Sequence, residues 1–530
     1  MEPTRARESE ALGGGVGVVG GSKSMKDHAC EGRRPAGEEG TPVGEPGRSQ
    51  SRHSSIEAGN DRGAKGGRKV NREGDMPGEN QCPSVPPETG DKQGQEDLWQ
   101  RYGAEHGVWS PKMLAALDQG VKGNKWFSLI DKVYQERTLA LAWEKVRIAA
   151  GAAGGDGITV GYFAQNSQER LLVVKEHLMA GTYQPRPVKR VWIPKPGSAE
   201  KRPLGIPTVR DRVVQTAVRL AIEPVFEREF APHSYGFRPG RSCKDALRRV
   251  EGLLKSGLHH VVEVDIQGYF DAIPRERLLA LVAQHVADGR VLSLIERFLE
   301  QGVMEGAELW QPETGTPQGG PLSPLLANIY LNPLDWLMAG MGVEMVRYAD
   351  DLVVLCDSAE HAQNVLETIR QWMVQAGLTL HPDKTRVVDM TRAGNSFEFL
   401  GYRFRRGKDG KIQRYLRRKS LVKLREKLKP LTRRTNGQNL RVLCAQLEPI
   451  LRGWYGYFKH LAPMELAQID GWLRARLRAI LNKRHHYGQG HGKGPPQSRW
   501  PNCYFTELGL FCLQAAQAQE IAFLQRGANH

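Results

Sequence analysis

The segment from Met345 to Leu355, MVRYADDLVVL, constrains the fold more than any other short stretch of the chain. Apolar runs on both sides of a polar centre predict two buried strands joined by a tight turn. The turn carries two adjacent carboxylates, Asp350 and Asp351, which repel each other. An ordinary turn rarely uses such a pair, so the sequence predicts a hairpin whose acidic end faces a positive charge.

A second acid ends another predicted strand. The run VVEVDI places Asp265 after an apolar stretch, and three carboxylates would converge if both segments share one sheet. Oxygen ligands without neighbouring Cys or His suit Mg²⁺ rather than zinc. Two Mg²⁺ ions can activate an attacking hydroxyl and stabilise a leaving pyrophosphate oxygen. From composition alone, two ordinary roles explain these acids as well as a metal site does. Asp265 could cap the end of a strand, and Asp350 and Asp351 could lie in a plain turn.

Two further segments carry groups typical of a phosphate site. Lys195 and Arg202 flank a tight turn between two predicted strands, where they could clamp a triphosphate. In GTPQGGPLSP, residues 315–324, the paired glycines allow close approach to a ligand, and Gln318 could bond a base or sugar. Taken alone, a basic hairpin and a Gly/Pro loop entering a helix explain these segments equally well.

The positive charge of the chain is concentrated in one window. The 530 residues carry a net charge of +16, and residues 401–490 contain 23 Lys+Arg against 5 Asp+Glu. The basic residues there are interleaved with aromatic ones: Trp454, Tyr455, Tyr457, Phe458 and Trp472. This mixture favours a nucleic-acid surface over a merely solvated face.

Composition also limits the location and the class of the protein. Residues 1–90 contain no Phe, Trp or Tyr and are rich in Gly, Pro, Ser and mixed charge, which predicts disorder. The seven cysteines form no Cys-x-x-Cys pair, so neither a disulfide framework nor a zinc knuckle is indicated. No membrane span or secretion signal is found, and a reducing cytoplasm is expected. Strands and helices that follow no regular alternation predict an α+β fold.

Together and in this order, the motifs resemble the group II intron-encoded reverse transcriptase/maturase family over about residues 139–510. RYADD resembles the catalytic hairpin, VDIQGYFDAI the first acid motif, and GTPQGGPLSPLLANIYLN the loop and helix under the incoming nucleotide. IPKPG, KRPLGIPTVRDRVVQ and SYGFRPGRS resemble the fingers and upper palm, and LHPDKT and FEFLGYRF the last palm strands. PILRGWYGYF resembles the maturase segment called domain X, which is also the thumb.

The resemblance implies a right-hand polymerase with fingers, a palm containing an antiparallel sheet, and a helical thumb. We expect a disordered low-complexity tail over 1–95, fingers and palm over 96–410, the thumb or domain X over 411–485, and a C-terminal extension over 486–530. The implied function is an RNA-directed DNA polymerase that also binds its encoding intron RNA to promote splicing and retrohoming. The bacterial type without an endonuclease domain is the nearest pattern.

The family pattern assigns catalytic roles to particular residues. Asp265 and Asp350 would bind both Mg²⁺ ions, Asp351 would assist them, and the backbone carbonyl of Ile266 would also face a metal. Lys384 would protonate the leaving pyrophosphate, although a plain surface lysine is the alternative.

The resemblance also assigns binding roles. Lys195 and Arg202 would hold the triphosphate, Gln318 would contact the incoming nucleotide, and Phe270 would lie beneath the sugar and favour dNTPs. The expected contacts to intron RNA are Tyr455, Tyr457, Arg474 and Arg478.

The implied partners are group II intron RNA, an RNA template with a DNA primer or target, and dNTPs. A bacterial cytoplasmic location without membrane attachment is expected, and the oligomeric state stays open, with a homodimer among the options. One alternative is a domesticated reverse transcriptase that serves defence or DNA repair. Another is an RNA-binding splicing cofactor without polymerase activity, which the intact acids argue against.

Overall fold

The computed structural model describes residues 98–194, 200–306, 308–312, 314–316, 318–407, 409–485 and 499–527. All of them belong to the larger of two units into which the chain divides, Pro86–His530. The predicted disordered tail, Lys195 and part of the predicted C-terminal extension therefore lie outside the described residues.

Helices and strands are mixed along the chain, which confirms the predicted α+β class. The principal helices are α1 Pro111–Gln119, α2 Ile130–Tyr134, α3 Glu136–Ala149, α4 Val160–Gln165, α5 Ser167–Ala180, α6 Val209–Glu229, α7 Cys243–Lys255, α8 Tyr269–Ala272, α9 Arg275–Ala283, α10 Gly289–Leu299, α11 Ser323–Gly340, α12 Ala359–Gln375, α13 Arg418–Leu428, α14 Leu440–Phe458, α15 Pro463–Arg484, α16 Asn502–Glu507 and α17 Leu513–Gly527. The strands are β1 Val188–Pro194, β2 Lys201–Ile206, β3 His260–Asp265, β4 Val303–Glu305, β5 Glu308–Trp310, β6 Glu344–Tyr348, β7 Asp351–Cys356, β8 Arg386–Asp389, β9 Ser396–Phe399, β10 Tyr402–Arg406 and β11 Ile412–Leu416.

The amino-terminal sheet has the strand order β2-β1-β4-β5. The predicted pair β1 and β2 is antiparallel, and β4 lies parallel on the other side of β1. Helix α6 follows β2 and begins at Thr208, whose hydroxyl accepts from the Asp211 amide. Helix α6 is buried along nearly its whole length, polar residues such as Asp211 and Glu223 included, and it packs chiefly against α2 and α3.

The central sheet has the order β6-β7-β3-β8, and all its pairs are antiparallel. The predicted hairpin of β6 and β7 and the predicted strand β3 are both present. Alternate residues along β3 enter different cores: Val262 and Val264 pack with α11 and α12, and Val261 packs with the carboxy-terminal part. Both faces of this sheet are covered, which explains why apolar residues at successive positions of β3 and β7 are buried.

The carboxy-terminal part begins with a third sheet, β11-β10-β9, followed by α13, α14 and α15. The β10–β11 hairpin crosses the predicted boundary at residue 411, where a mainly helical region was expected. The sequence also predicts one helix over 127–151, but the chain breaks at Gln135, whose extended backbone separates α2 from α3. Within the described residues, no helix is both long and apolar enough to cross a membrane.

Candidate active site

The three predicted acids lie at one end of the central sheet. Asp265 is the last residue of β3 and is paired in register with Asp351, the first residue of β7. The β6–β7 hairpin closes with the pair Tyr348 and Asp351, so Asp350 occupies the two-residue turn between the strands. The sequence predicted that these carboxylates would meet if the strands shared a sheet, and the register brings them to the same edge.

Burial, together with the neighbouring like charges, raises the pKa values of the two hairpin acids. Burial raises the pKa of Asp350 above its ordinary value; Asp265 adds to the rise, and the positive charges of Arg202 and Arg347 oppose it. Burial and then the charge of Asp350 raise the pKa of Asp351 to about 6. The residue Asp351 nevertheless remains exposed to solvent as a whole. A cation bound between these acids would remove much of this repulsion.

A lysine and a backbone carbonyl complete this end of the sheet. Lys384 Nζ lies 2.8 Å from Asp265 Oδ2, and the loop that carries the lysine is held by a hydrogen bond from the His381 amide to the Asp265 carbonyl. Ile266 bridges to Leu380 through the amides and carbonyls of the neighbouring residues. The carbonyl oxygen of Ile266 is therefore not used by this bridge.

The donor set contains only oxygen atoms from acids and backbone, which suits Mg²⁺. Over the described part of the chain, no three His, Cys, Asp or Glu side chains form a ready-made metal cage. An incomplete protein ligand set is typical of Mg²⁺ sites. Mg²⁺ commonly binds one or two protein carboxylates and completes its coordination shell with water and substrate phosphates.

The predicted nucleotide loop is fixed against the amino-terminal sheet. The Gln318 carbonyl accepts a hydrogen bond from the Gly205 amide at 2.7 Å, and Gln318 Nε2 donates to Asp271 Oδ2 at 2.8 Å. Gly319 has φ +114°, and a Cβ there would lie 2.4 Å from the Gly205 carbonyl oxygen, so only glycine fits. A cleft of about 170 Å³ lies behind the loop, with Arg190 and Asp271 among its lining residues.

Two other residues predicted to bind the nucleotide, Phe270 and Arg202, lie within the described part of the chain. The Phe270 carbonyl accepts from the Thr316 amide at 2.7 Å, and its half-buried ring lies edge-on to Tyr269 with centroids 5.5 Å apart. Arg202 is exposed at the start of β2, close enough for its charge to act on the hairpin acids. Lys195 lies outside the described residues.

Two family models match the chain in sequence. The model described as "Reverse transcriptase (RNA-dependent DNA polymerase)" covers residues 193–404, and the model described as "Group II intron, maturase-specific domain" covers residues 421–495. The first match contains the acids, the nucleotide loop and Lys384. The second covers most of α13 through α15.

Curated relatives agree with these matches. "Group II intron-encoded protein LtrA" of Lactococcus lactis subsp. cremoris is 44% identical over 169 residues, which are 32% of this chain and 28% of LtrA. "Protein YkfC" of Escherichia coli (strain K12) is 31% identical over 293 residues, which are 48% of this chain and 76% of YkfC. The chain belongs to the group II intron reverse transcriptase/maturase family. A chain of the solved "Partial Cas6-RT-Cas1--Cas2 complex" is 24% identical with a TM-score of 0.32, covering 48% of this chain and 44% of that one, a likeness too weak to carry an argument.

In the maturase-specific part, the two tyrosines predicted to contact RNA have partners within the protein. Tyr457 donates its hydroxyl to the Leu400 carbonyl at 2.8 Å, which joins α14 to the end of β9. Tyr455 donates to Glu520 Oε2 at 3.0 Å, which joins α14 to α17. Both hydroxyls are thus used in packing between elements, and their roles as RNA contacts stay predictions.

The two predicted arginine contacts also face the C-terminal segment. Arg478 is buried; its Nε donates to the Trp500 carbonyl at 2.9 Å and its Nη2 to Asn502 Oδ1 at 2.8 Å. Arg474 Nη1 lies 4.0 Å from Cys512 Sγ. Arg478 therefore joins α15 to the residues at the start of α16, and RNA contact by both arginines stays a prediction.

A more accessible basic surface lies on α13 and the loop that follows it. The stretch 418–434 contains a single acid, Glu426, and its basic side chains lie largely in solvent. We call the following exposed residues the α13 basic surface: Arg418, Lys419, Lys423, Lys427, Lys429, Arg433 and Arg434. The charge of this window was evident from the sequence. The sequence could not show which of its arginines already form hydrogen bonds within the protein.

The structure adds two candidate functional residues that the sequence did not identify. Asp271 accepts the hydrogen bond that orients Gln318, and its position within VDIQGYFDAI was the available signal. Arg347 lies fully buried next to the acidic turn and pairs with Asp335 on α11. A charged residue inside an otherwise apolar strand was the signal for Arg347, but its partner could not be identified without the tertiary fold.

Proposed function

We propose that the chain is an RNA-directed DNA polymerase that also binds the group II intron RNA encoding it and promotes splicing and retrohoming. The observation that carries the polymerase assignment is the register that sets Asp265 opposite Asp351 with Asp350 in the adjoining turn. The matched maturase-specific region after the reverse transcriptase region supports the RNA-binding part. A cytoplasmic location in a bacterium belongs to the same proposal.

Asp265, Asp350, Asp351 and the Ile266 carbonyl would hold two Mg²⁺ ions. When bound, such ions supply activation of the primer hydroxyl and charge neutralisation at the phosphates. The primer 3′-oxygen forms a bond to the α-phosphorus of the dNTP, and the bond from that phosphorus to the bridging oxygen breaks, releasing pyrophosphate. Arriving phosphates would compete with Asp265 for Lys384, which lies 2.8 Å from that acid and would donate a proton to the leaving group.

The nucleotide is positioned by groups on both sides of the acids. Arg202 offers a planar guanidinium for the triphosphate, and Lys195 is proposed to assist it. Gln318, which Asp271 orients, would contact the nucleotide. The ring of Phe270 would lie beneath the sugar and clash with a ribose 2′-hydroxyl. This arrangement favours dNTPs over rNTPs.

Intron RNA would bind the maturase-specific part mainly through phosphate contacts. The α13 basic surface is exposed and nearly free of acids. Trp472 lies between Arg425 and Arg476, whose guanidinium carbons are 5.2 Å and 5.4 Å from its ring centroid. Such a cationic and aromatic surface suits an RNA backbone with nearby unstacked bases.

The polymerase proposal is tested by extension of oligo(dT) on poly(rA) with Mg²⁺ and dTTP. Wild-type protein should extend the primer, and Asp350→Ala should abolish extension while intron RNA binding persists. Equal extension by both proteins would overturn the assignment. A wild-type protein that binds intron RNA but extends no primer would instead identify a splicing cofactor.

The maturase proposal has a separate test. Splicing of the intron RNA surrounding the gene should be stimulated by the protein at low magnesium, where the RNA folds poorly alone. Asp350→Ala should stimulate splicing equally, because the acids are not part of the RNA surface. Absence of stimulation by both proteins would remove the maturase role and leave polymerisation intact.

A further inference from the structure

We infer that Arg347 is a positioning residue that fixes the turn carrying Asp350, and that α11 ties this turn to the nucleotide loop. The inference rests on the proposed polymerase function and assigns a task to a buried charge that substrate does not touch. Three features support this role: the hydrogen bonds of Arg347, the backbone conformation of Ala349 and the residues that α11 carries.

The Arg347 side chain is fully buried, as is that of Asp335. Arg347 Nε donates to Asp335 Oδ1 at 2.7 Å, and Nη2 bonds the other carboxylate oxygen. Arg347 Nη1 donates both to Asn328 Oδ1 at 2.9 Å and to the Ala349 carbonyl oxygen at 3.0 Å. The guanidinium therefore joins α11 to the turn itself.

The bond to Ala349 acts at the point where the turn needs support. Ala349 has φ +56°, in the left-handed region that a residue with a Cβ adopts only at a cost. Its carbonyl belongs to the peptide unit that leads into Asp350. Holding this carbonyl orients that peptide plane, and with it the direction in which the Asp350 carboxylate leaves the backbone.

A second contact encloses the turn from the other side. Asn328 Nδ2 donates to the Gly236 carbonyl at 2.7 Å, and a Cβ on Gly236 would lie 2.3 Å from the Ala349 amide nitrogen. The Arg347 backbone exchanges hydrogen bonds with the same flanking segment, accepting from Tyr235 and donating to His233. The turn is thus held between α11 and residues 233–236.

Helix α11 connects this network to the nucleotide loop. Asn328 and Asp335 are seven residues apart, two helical turns, and so lie on the same face of α11. The helix begins at Ser323, shortly after Gln318. The same helix therefore begins next to the loop proposed to contact the nucleotide and carries the two side chains that bond Arg347.

A buried ion pair can often be replaced by apolar residues of similar size without loss of the fold. The double variant Arg347→Met with Asp335→Leu should therefore fold and bind intron RNA as wild type does. Because small displacements of catalytic groups reduce rates strongly, its kcat for primer extension should fall about 100-fold. The KM for dTTP should stay within about threefold, and the Mg²⁺ concentration for half-maximal rate should rise.

Two further variants separate positioning from general packing. Adding Ala349→Gly to the double variant should restore kcat about tenfold, because glycine adopts the left-handed turn without help. The control is Arg414→Met with Glu251→Leu, a partly buried ion pair that joins β11 to α7 and bonds neither the turn nor residues 233–236. Its kcat should remain near wild type.

Full kcat in the folded Arg347/Asp335 double variant would overturn the inference, as would absence of rescue by Ala349→Gly. Hydrogen exchange of a peptide spanning residues 345–356 provides a readout that needs no activity. Exchange there should quicken in the double variant and not in the control pair. Unchanged exchange would refute the positioning role even if wild type extends no primer, an outcome that would separately remove the proposed function.

Discussion

Replacing Asp351 by Asn should stabilise the metal-free protein while removing activity. The folded protein raises the pKa of Asp351 to about 6, from an ordinary value of 3.8, so its ionised form is disfavoured. A rise of about two pKa units corresponds to about 3 kcal/mol. Because the residue is exposed, solvent screening reduces the expected gain to about 1 kcal/mol. For a chain of this length, that gain would raise Tm by about 1–2 °C.

The sign of the pH dependence follows from the raised pKa. The favourable contribution of protonated Asp351 is fully present below pH 3.8 and is lost as pH rises through about 6. The free energy of unfolding of Asp351→Asn should therefore exceed that of wild type most at pH 7.5 in EDTA. This difference in stability should shrink toward pH 4.5. Mg²⁺ should stabilise wild type at pH 7.5 more than the variant, since it binds the ionised acids of the folded state.

Thermal or urea unfolding at both pH values, with EDTA or Mg²⁺, checks this expectation. Asp357→Asn, on the residue after β7, is the control, because a hydrogen bond from His361 holds the pKa of Asp357 below its ordinary value. This control should not gain stability. The reasoning is refuted if Asp351→Asn is no more stable than wild type in EDTA at pH 7.5, or if its advantage grows as pH falls.

Three other predictions concern different parts of the molecule. Phe270→Ala should raise the use of rNTP relative to dNTP about tenfold or more in primer extension, and an unchanged ratio would mean that the ring only packs against the palm. Asp470→Ala should lower the local stability of α17 by about 1–2 kcal/mol. The buried carboxylate accepts hydrogen bonds from the Leu513 and Gln514 amides and so caps this helix. Faster hydrogen exchange over residues 513–527, with partial recovery in Asp470→Asn, would support this cap. Replacing Lys419, Lys423 and Lys427 of the α13 basic surface by Gln should lower the salt slope of RNA binding by about two to three units without changing primer extension; an unchanged slope would place the RNA elsewhere.

Local pattern was sufficient for much of the active site. The β6–β7 hairpin, β3 and α6 were predictable because apolar runs and turn residues act over a few positions. The same patterns identified Asp265, Asp350 and Asp351 as the acids of interest.

Side-chain partnerships were not predictable in the same way. The sequence could not show that Arg478 is buried and bonds the Trp500 carbonyl. It also did not predict β11, a short strand in a basic region that forms because β10 offers an edge. In both cases the deciding partner is supplied by another element.

The sequence by itself determined the α+β class, the order of the motifs and the acids at the ends of two apolar strands, since these depend on nearest neighbours and on residue type. Only the tertiary structure decided that Asp265 faces Asp351, that Lys384 reaches Asp265 across 119 positions of sequence, and that Arg347 holds the turn between α11 and residues 233–236. These pairings join distant segments, and their geometry depends on strand register and helix packing that no local pattern encodes.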